Sequence, residues 1–586
     1  MILQALNGYY ERKAAEPGSD IPPYGFGVQR ISICLVLSEG GEVIATVDLR
    51  EIQGKKHVPR ALNAPMLPFK RAVGIAPNFT WDNTGYVLGV DGKGKAERTQ
   101  KTHESFKELH RKVSRGVDDA GLRALSRFLD SWTPDRFSSL SQSEEMLDTN
   151  VVFRLESDLR FLHERPAVQQ AWAQEYRRLA GTHEGICLVT GREALVASLH
   201  PDISGVSGAQ SSGALLVSFN LPAFRSYGKE QSLNAPVGER AAFAYTTALN
   251  FLVRNGSRQK IRLGDATTVF WAERSTPAED LLAFLFDPPT EGAAKTGESS
   301  PSEDQTATAL IREVLSAAKA GRPIDEVDPA LEPDVRFYIL GLSPNNARLA
   351  VRFWNVSTFG KLVERVGQHF RDMGVERQFE GDPEFPSLRR VILETAPTKK
   401  TIRGIERDAK KIPPLLAGAV TRALLAGSPY PRGLFTEVLG RIRADHIVNY
   451  LRTAILKAYL VRNHQMEVPM SLDVERSEPA YRLGRLFALL EKAQKDATNP
   501  TATIRDRYFG AASSTPAAVF PQLLRLGQHH ISNPKAEYGG YTDKLIAEVM
   551  DGIDELPKHL SLEEQGLFTL GYYHQRNALY RKGDKE

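Results

Sequence analysis

The chain changes its hydrophobic period partway along, and no other feature limits the fold so strongly. The first ~110 residues alternate between short apolar strand signals and turns, and further strand signals recur between helical stretches up to about residue 354. From about residue 360 onward nearly everything reads as helix. That switch predicts an α+β fold: a mixed α/β N-terminal half with antiparallel strands, then an all-α C-terminal half ending in a helical bundle. Between them, Asp287-Pro-Pro-Thr-Glu-Gly through Thr308 is rich in Pro, Gly, Ser, Thr and acids and reads as a linker. The expected division is residues 1–286 (α+β), 287–308 (linker), 309–465 (α+β passing into basic helices) and 466–586 (helical bundle). The 586 residues allow about four such units at roughly 150 residues each.

Individual elements follow from local pattern. Ile31-Ser-Ile-Cys-Leu-Val-Leu37 and Glu42-Val-Ile-Ala-Thr-Val47 flank Ser38-Glu-Gly-Gly41 as a β-hairpin. Tyr86–Val90 and Gly185–Thr190 read as further short strands, and residues 96–200 as mainly helical. A helix over Arg240–Leu252 precedes a strand over Ala266–Ala272. Arg336–Leu342 and Ala347–Trp354 form a strand pair around Ser343-Pro-Asn-Asn346.

Charge is unevenly spread. The whole chain carries a formal +4, but Leu388–Gln465 holds 15 Lys and Arg against 5 Asp and Glu, a net of +10. From Met466 to Glu586 the counts are 15 and 17, a net of −2. A smaller basic patch gathers Arg50, Lys55, Lys56, Arg60, Lys70 and Arg71. Such clusters suit polyanion contact, because each neutralised phosphate releases condensed counterions; they also suit a solvated surface with acids nearby. The two cysteines, Cys34 and Cys187, supply neither a disulfide framework nor a cysteine zinc site, which fits a reducing cytoplasm. Apolar runs such as Leu281–Phe286 fall far short of the ~20 residues that span a bilayer, so no membrane partner is expected.

Catalytic patterns are missing. Gly89-Val-Asp-Gly-Lys-Gly-Lys95 approaches a phosphate-binding loop, but Ala96 stands where Ser or Thr would hold Mg²⁺. Gly25-Phe-Gly27 lacks the third glycine of a dinucleotide turn. His529-His530 has no carboxylates at metal-ligand spacing, and there is no Gly-x-Ser-x-Gly elbow. The expectation is a protein that is not an enzyme and carries no cofactor or metal. A nuclease with an unrecognised site and a purely structural assembly protein are the alternatives.

Recognition chemistry is better represented. Lys70 through Tyr86 interleaves cations with Phe79 and Trp81 and with the carboxamides of Asn78 and Asn83. This mixture suits phosphates, base faces and base edges; it equally suits a turn whose Asp82 and Asn83 satisfy backbone groups while Trp81 fills the core. Gln210, Ser211 and Ser212 lie in a glycine-flanked loop, and Lys229, Gln231 and Asn234 in a second polar stretch. Small residues there would let backbone approach another surface closely, or the polar groups would cap neighbouring strands.

Taken in order, several segments resemble the large subunit of the type I-C CRISPR surveillance complex (Cascade), the Csd-type family. They are Met1-Ile-Leu-Gln-Ala-Leu-Asn-Gly-Tyr-Tyr10, Lys70-Arg71 with Trp81-Asp-Asn-Thr-Gly-Tyr-Val-Leu-Gly89, Cys187-Leu-Val-Thr-Gly191 and His200-Pro201. Gly208-Ala-Gln-Ser-Ser-Gly213, Ser226 through Pro236, Ala242 through Asn250 and Val269-Phe-Trp-Ala272 continue the set. Leu340 through Ala350, Gly539-Gly540-Tyr541 and Gly571-Tyr-Tyr573 cover the second half more loosely. One departure is that Met66 and Leu67 stand near where relatives often carry Gln or Glu before the Lys-Arg pair.

The resemblance implies a non-catalytic subunit at the crRNA 5′ end that recognises the protospacer-adjacent motif (PAM) in double-stranded DNA. It would assist strand separation and R-loop formation and dock the helicase-nuclease that follows. Its implied partners are crRNA, PAM-bearing target DNA, that helicase-nuclease, and the backbone, crRNA-end-capping and small subunits of Cascade. On this reading residues 1–286 hold the PAM-recognition region. Lys55, Lys56, Lys70 and Arg71 hold phosphates, and Asn78, Trp81, Asn83, Gln210, Ser211, Ser212, Lys229, Gln231 and Asn234 face bases. Lys399, Lys400, Arg403, Lys410 and Lys411, with Arg407, Arg441, Arg443, Arg452, Lys457 and Arg462, give a second phosphate surface. The family also implies a separately made small subunit, for which Met466 and Met470 are internal start candidates.

Overall fold

The computed structural model describes residues 1–581 apart from 55, 70, 72–73, 264–265, 287, 289–300, 402–403 and 534–538. At 53, 182, 263, 301–307, 400–401, 404–405 and 414 it describes the backbone alone. The chain forms two compact units: Met1–Ser257 with Pro344–Ala350, and Arg258–Ser343 with Val351–Glu586. The architecture is α+β, with most strands in the first 360 residues and helices predominating after them. No helix among the described residues is long and apolar enough to cross a membrane.

In the first unit, strand β1 (Ile33–Leu37) is buried along its whole length. It pairs antiparallel with β2 (Val43–Asp48), Cys34 facing Val47. The four-stranded sheet is completed by β3 (Trp81–Asn83) and β4 (Asn150–Leu155), in the order β2-β1-β4-β3. The β1–β4 pair is parallel, with Cys34 opposite Val152. A parallel pair needs a long crossover, which includes helices α1 (Ala96–Val113) and α2 (Ala120–Ser131). Phe106, Leu125 and Phe128 from these helices pack on Ile33, Leu35, Val151 and Phe153. The other face of the sheet buries Cys34, Val152 and Trp81 with Ile31 and Ala64. Covered on both faces, β1 carries a continuous apolar run rather than an alternating one.

The second unit opens on a sheet of β5 (Lys260–Leu263), β6 (Ala266–Ala272), β7 (Arg336–Asn345) and β8 (Arg348–Thr358), hydrogen-bonded in that order. Behind it run α3 (Phe359–Asp372), α4 (Pro414–Ala426), α5 (Arg432–Asp445), α6 (Tyr450–His464), α7 (Pro479–Thr498) and α8 (Leu562–Tyr580). One hydrophobic core extends from Phe270 to Tyr573, without a break at residue 466. Helices α7 and α8 meet backbone to backbone. A Cβ on Gly484 would lie 2.0 Å from the Phe568 carbonyl oxygen, and one on Gly571 2.1 Å from that of Tyr481.

Three local expectations are corrected. Tyr86–Val90 does not form a strand: Thr84–Val87 is a short helix, because the Asn83 side chain accepts the Gly85 N–H and caps it. Residues 96–200 are less helical than their pattern suggests, containing β4 and an antiparallel pair, Gly181–Ile186 with Glu193–Ala197. Among the described residues the helical half also contains an antiparallel strand pair, Thr398–Thr401 with Gly404–Arg407. Of the linker sequence, residues 287 and 289–300 lie outside the described residues, and a helix begins at Pro301.

Buried histidines brace both units. The Thr80 N–H, at φ +62°, donates to His110 Nε2 at 2.8 Å, so the ring is neutral and its Nδ1 proton goes to the Phe106 carbonyl at 2.7 Å. His200, His369 and His574 each place Nδ1 against a buried tyrosine hydroxyl, of Tyr245, Tyr430 and Tyr481. Burial pushes His110, His163 and His200 down to about 4, and His369 and His574 down to about 3. Above the ordinary histidine value both folded and unfolded chains are neutral there and stability does not depend on pH. Below it the unfolded chain binds protons that the native chain refuses. Unfolding temperatures measured from pH 7 to pH 5 should therefore fall, each histidine contributing up to about 1.4 kcal/mol per pH unit. Pairing His110→Gln with wild type should flatten that slope.

Candidate nucleic-acid interface

The first candidate segment turns inward around a buried carboxylate. Asp82, 1% exposed at its side chain, accepts two hydrogen bonds from the Arg71 guanidinium at 3.0 and 3.1 Å. It also accepts the backbone N–H groups of Asn78 and Asn83, each at 2.8 Å. The Arg71 guanidinium lies 5.0 Å from the centre of the Tyr86 ring. Arg71 is thus held by Asp82 through one guanidinium nitrogen, its side chain remaining 27% exposed. Asn78 is buried, and the Asn83 amide oxygen caps a helix. Trp81 is buried and donates its indole N–H to the Pro65 carbonyl at 2.7 Å. Phe79 is stacked between His110 and Trp172. The base-facing roles expected of Asn78, Trp81 and Asn83 give way to internal ones. Lys55 and Lys70 lie outside the described residues, while Lys56 is exposed on the hairpin Glu51–Gln53 with Lys56–Val58.

Two loops of the same unit face outward. Residues 203–214 close on themselves through paired backbone bonds between Ile203 and Ala214, each 2.9 Å. Gly213, at φ +91°, completes a turn from Gln210 that leaves Gln210, Ser211 and Ser212 exposed. Among the described residues these three side chains have no partner. The second loop runs from Asn220 to Asn234. Asn234 is its internal clamp: its amide oxygen accepts the Ser226 N–H at 2.9 Å, and its amide nitrogen donates to the Lys229 and Gln231 carbonyls at 3.1 and 2.9 Å. A base-edge role for Asn234 is corrected accordingly. Ser232 is buried and donates its hydroxyl to the Ser198 carbonyl at 2.9 Å. Lys229 and Gln231 are exposed, as is Tyr227, which sequence pattern alone did not single out. Nothing in a sequence separates an aromatic at a turn apex from one in a core.

The basic stretch of the second unit is divided between cations used inside it and exposed ones, the latter including Arg389, Arg390, Arg422 and Arg432. Arg452 has no exposed side-chain surface and is paired with Glu394 and Asp445. Arg407 bridges the same two carboxylates at 2.7 and 2.8 Å, and Arg441 reaches Asp445 at 3.5 Å. Burial pushes the Arg452 guanidinium below its usual value, partly offset by Asp445. Burial alone would raise the Asp445 carboxyl, but Arg452 and Arg407 hold it below the carboxylate range. Arg462 pairs with Asp372 at 2.7 Å, Lys457 donates to the Gly374 carbonyl, and Arg443 to Gln565. Arg407, Arg441, Arg452, Lys457 and Arg462 are therefore engaged inside the unit, whereas Arg443 is exposed. Lys399 is exposed 3.5 Å from Asp408, and Lys410 and Lys411 are exposed on a short turn. Arg403 and the Lys400 side chain lie outside the described residues.

The almost-P-loop at Gly89–Lys95 is closed by its own carboxylate, since Asp91 accepts the Thr99 hydroxyl and the Lys93 N–H. Among the described residues no group of three or more His, Cys, Asp or Glu is placed to hold a metal ion. Met466 is half-buried against the core at the end of α6, and Met470 is 55% exposed with its carbonyl accepting the Glu376 N–H at 2.8 Å.

A family model described as CRISPR-associated protein (Cas_Csd1) covers residues 6–580. No curated protein matches the sequence.

The contrast between buried and exposed cations can be measured. Arg452→Met leaves two carboxylates short of a partner and should destabilise the second unit by about 3–5 kcal/mol in denaturant titration. Lys410→Ala with Lys411→Ala should stay within about 0.5 kcal/mol of wild type.

Proposed function

The chain belongs to the Cas_Csd1 family of CRISPR-associated proteins, and from that premise we propose that it is the non-catalytic large subunit of type I-C Cascade. It recognises the PAM in double-stranded target DNA, assists strand separation and R-loop formation, and offers the docking surface for the helicase-nuclease. It assembles with crRNA and with the backbone, crRNA-end-capping and small subunits. One observation carries the reading: two braced, outward loops present Gln210, Ser211, Ser212, Lys229 and Gln231, while Arg71, Trp81, Asn83 and Asn234 make contacts inside the fold.

Those side chains match the task. Gln offers paired donor and acceptor groups to a base edge, Ser donates or accepts according to the groove, and Lys neutralises a phosphate or meets a guanine acceptor. Separating the first target base pair costs a few kcal/mol of unstacking, which guide pairing then offsets. Lys56, Lys399, Lys410 and Lys411 remain available for phosphates.

Alanine at Lys229 and Gln231 should weaken assembled Cascade on PAM-bearing duplex by roughly 5- to 100-fold, the size of one or two base contacts. Loss on PAM-free duplex should be much smaller; equal losses on both would overturn the assignment.

We also infer that the segment beginning near residue 466 is made separately as the small subunit. The support is its position at a charge step and its compact α7–α8 pairing through Gly484 and Gly571. Starts at Met466 or Met470 would yield 121 or 117 residues. Intact-mass measurement of purified complex should find such a C-terminal species beside the full chain; full-length chain alone would refute the inference.

A further inference from the structure

Residues Ser226–Lys229 form a turn closed by the Lys229 N–H on the Ser226 carbonyl at 3.0 Å. Both central residues have positive φ, Tyr227 at +52° and Gly228 at +68°, the pattern of a type I′ turn. Glycine suits the second position. Tyrosine is a poor choice for the first, because its Cβ crowds the following carbonyl in the left-handed region, where Asn, Asp or Gly would sit at lower cost. The ring gains nothing inside the molecule to offset this. Tyr227 is 96% exposed and has no ring or hydrogen-bond partner among the described residues.

The loop that carries it is held in place. Asn234 clamps three backbone groups, Ser232 anchors the base, and Arg225 pairs with Glu230 at 3.1 Å. At the other end Arg348 bonds Asn220 and lies 4.4 Å from the centre of the Phe224 ring. A large flat ring is therefore presented on a pre-organised support, so little ordering remains to be done on binding. Lys229 lies two residues away, and the nearby carboxylate, Glu230, is engaged by Arg225. An exposed ring beside an unpaired cation is the arrangement that stacks on a nucleobase while neutralising its phosphate.

We propose that Tyr227 is a base-stacking residue, its ring covering a nucleobase of target DNA unpaired beside the PAM, with Lys229 on the adjoining phosphate. The proposal rests on the DNA-recognition reading above and adds to it a residue and a mode of contact.

The test uses complete Cascade loaded with crRNA and a PAM-bearing duplex carrying 2-aminopurine at the first target positions. Tyr227→Asn removes the ring yet suits the left-handed backbone, so it should unfold no lower than wild type. Tyr227→Phe keeps the ring. The Asn variant should retain wild-type crRNA and subunit content, bind the duplex about tenfold more weakly, and change the 2-aminopurine fluorescence of the bound state. Tyr227→Phe should stay within about twofold of wild type. The salt dependence of binding should be unchanged by Tyr227→Asn, whereas Lys229→Ala should reduce its slope by about one. Tyr227→Asn binding as wild type does would refute the proposal, as would loss of crRNA or of a subunit, which would place the ring on RNA or protein. Wild-type complex that binds PAM-bearing and PAM-free duplexes alike would refute the underlying reading as well; discrimination by wild type that Tyr227→Asn fully preserves would refute the stacking role alone.

Discussion

A guanidinium with no exposed surface must be neutralised and hydrogen-bonded where it sits, and Arg452 imposes that requirement on the second unit. Glu394, Asp445 and Asn449 are drawn to it or its neighbours from a short helix, a helix end and a helix cap. Arg407 is then needed as well, because two carboxylates beside one buried cation leave a negative excess. The cluster couples the 398–407 hairpin, α5 and α6 through charge as well as through packing. Removing one partner is expensive, since the others remain buried without compensation. Part of the basic excess between residues 388 and 465 is taken up by this cluster and by Arg462 and Lys457, while Arg389, Arg390, Lys410, Lys411, Arg422 and Arg432 are exposed.

Asp82 imposes the same logic with the sign reversed. A carboxylate in the core of the first unit gathers Arg71 and two backbone N–H groups, and in doing so fixes the path of residues 78–83. That path delivers Trp81 to the sheet and Phe79 to its stack with His110 and Trp172. A segment whose composition suits nucleic acid is, by this geometry, the internal frame of the unit. Gln210, Ser211, Ser212, Lys229 and Gln231, exposed and without side-chain partners among the described residues, lie on the two outward loops.

The α+β class, the β1–β2 hairpin, β6 and the β7–β8 pair were legible because each is a short apolar run bounded by turn residues. The resemblance to the Csd-type family was legible too, and the family match over residues 6–580 agrees with it. The parallel partner of β1 was not: Asn150–Leu155 is six residues between helices, and nothing local announces pairing with a strand more than a hundred residues earlier. Tyr86–Val90 misled because an apolar run of that length fits a strand or a helical turn equally, and a cap three residues upstream, Asn83, decided it. The site was legible only as composition. Asn83 and Asn234 look alike in sequence to Gln210 and Gln231; what separates them is whether a backbone group lies within reach, which only the fold determines.

This division bears on how binding energy would be shared under the proposed function. Each phosphate contact contributes to affinity regardless of sequence and is weakened by salt. With Arg71, Arg407, Arg441, Arg452 and Arg462 paired internally, phosphate contacts fall to exposed cations such as Lys56, Arg389, Arg390, Lys410, Lys411 and Arg432. Under the proposed function such contacts hold DNA without reading it, and guide pairing and the rest of the complex supply further affinity. Non-specific retention on the many wrong sites would slow the search for the right one, so phosphate contacts alone do not make a reader of a short motif. Discrimination then rests on a handful of side chains whose loops are braced beforehand, so that a correct contact loses little to ordering and an incorrect one finds no flexible alternative.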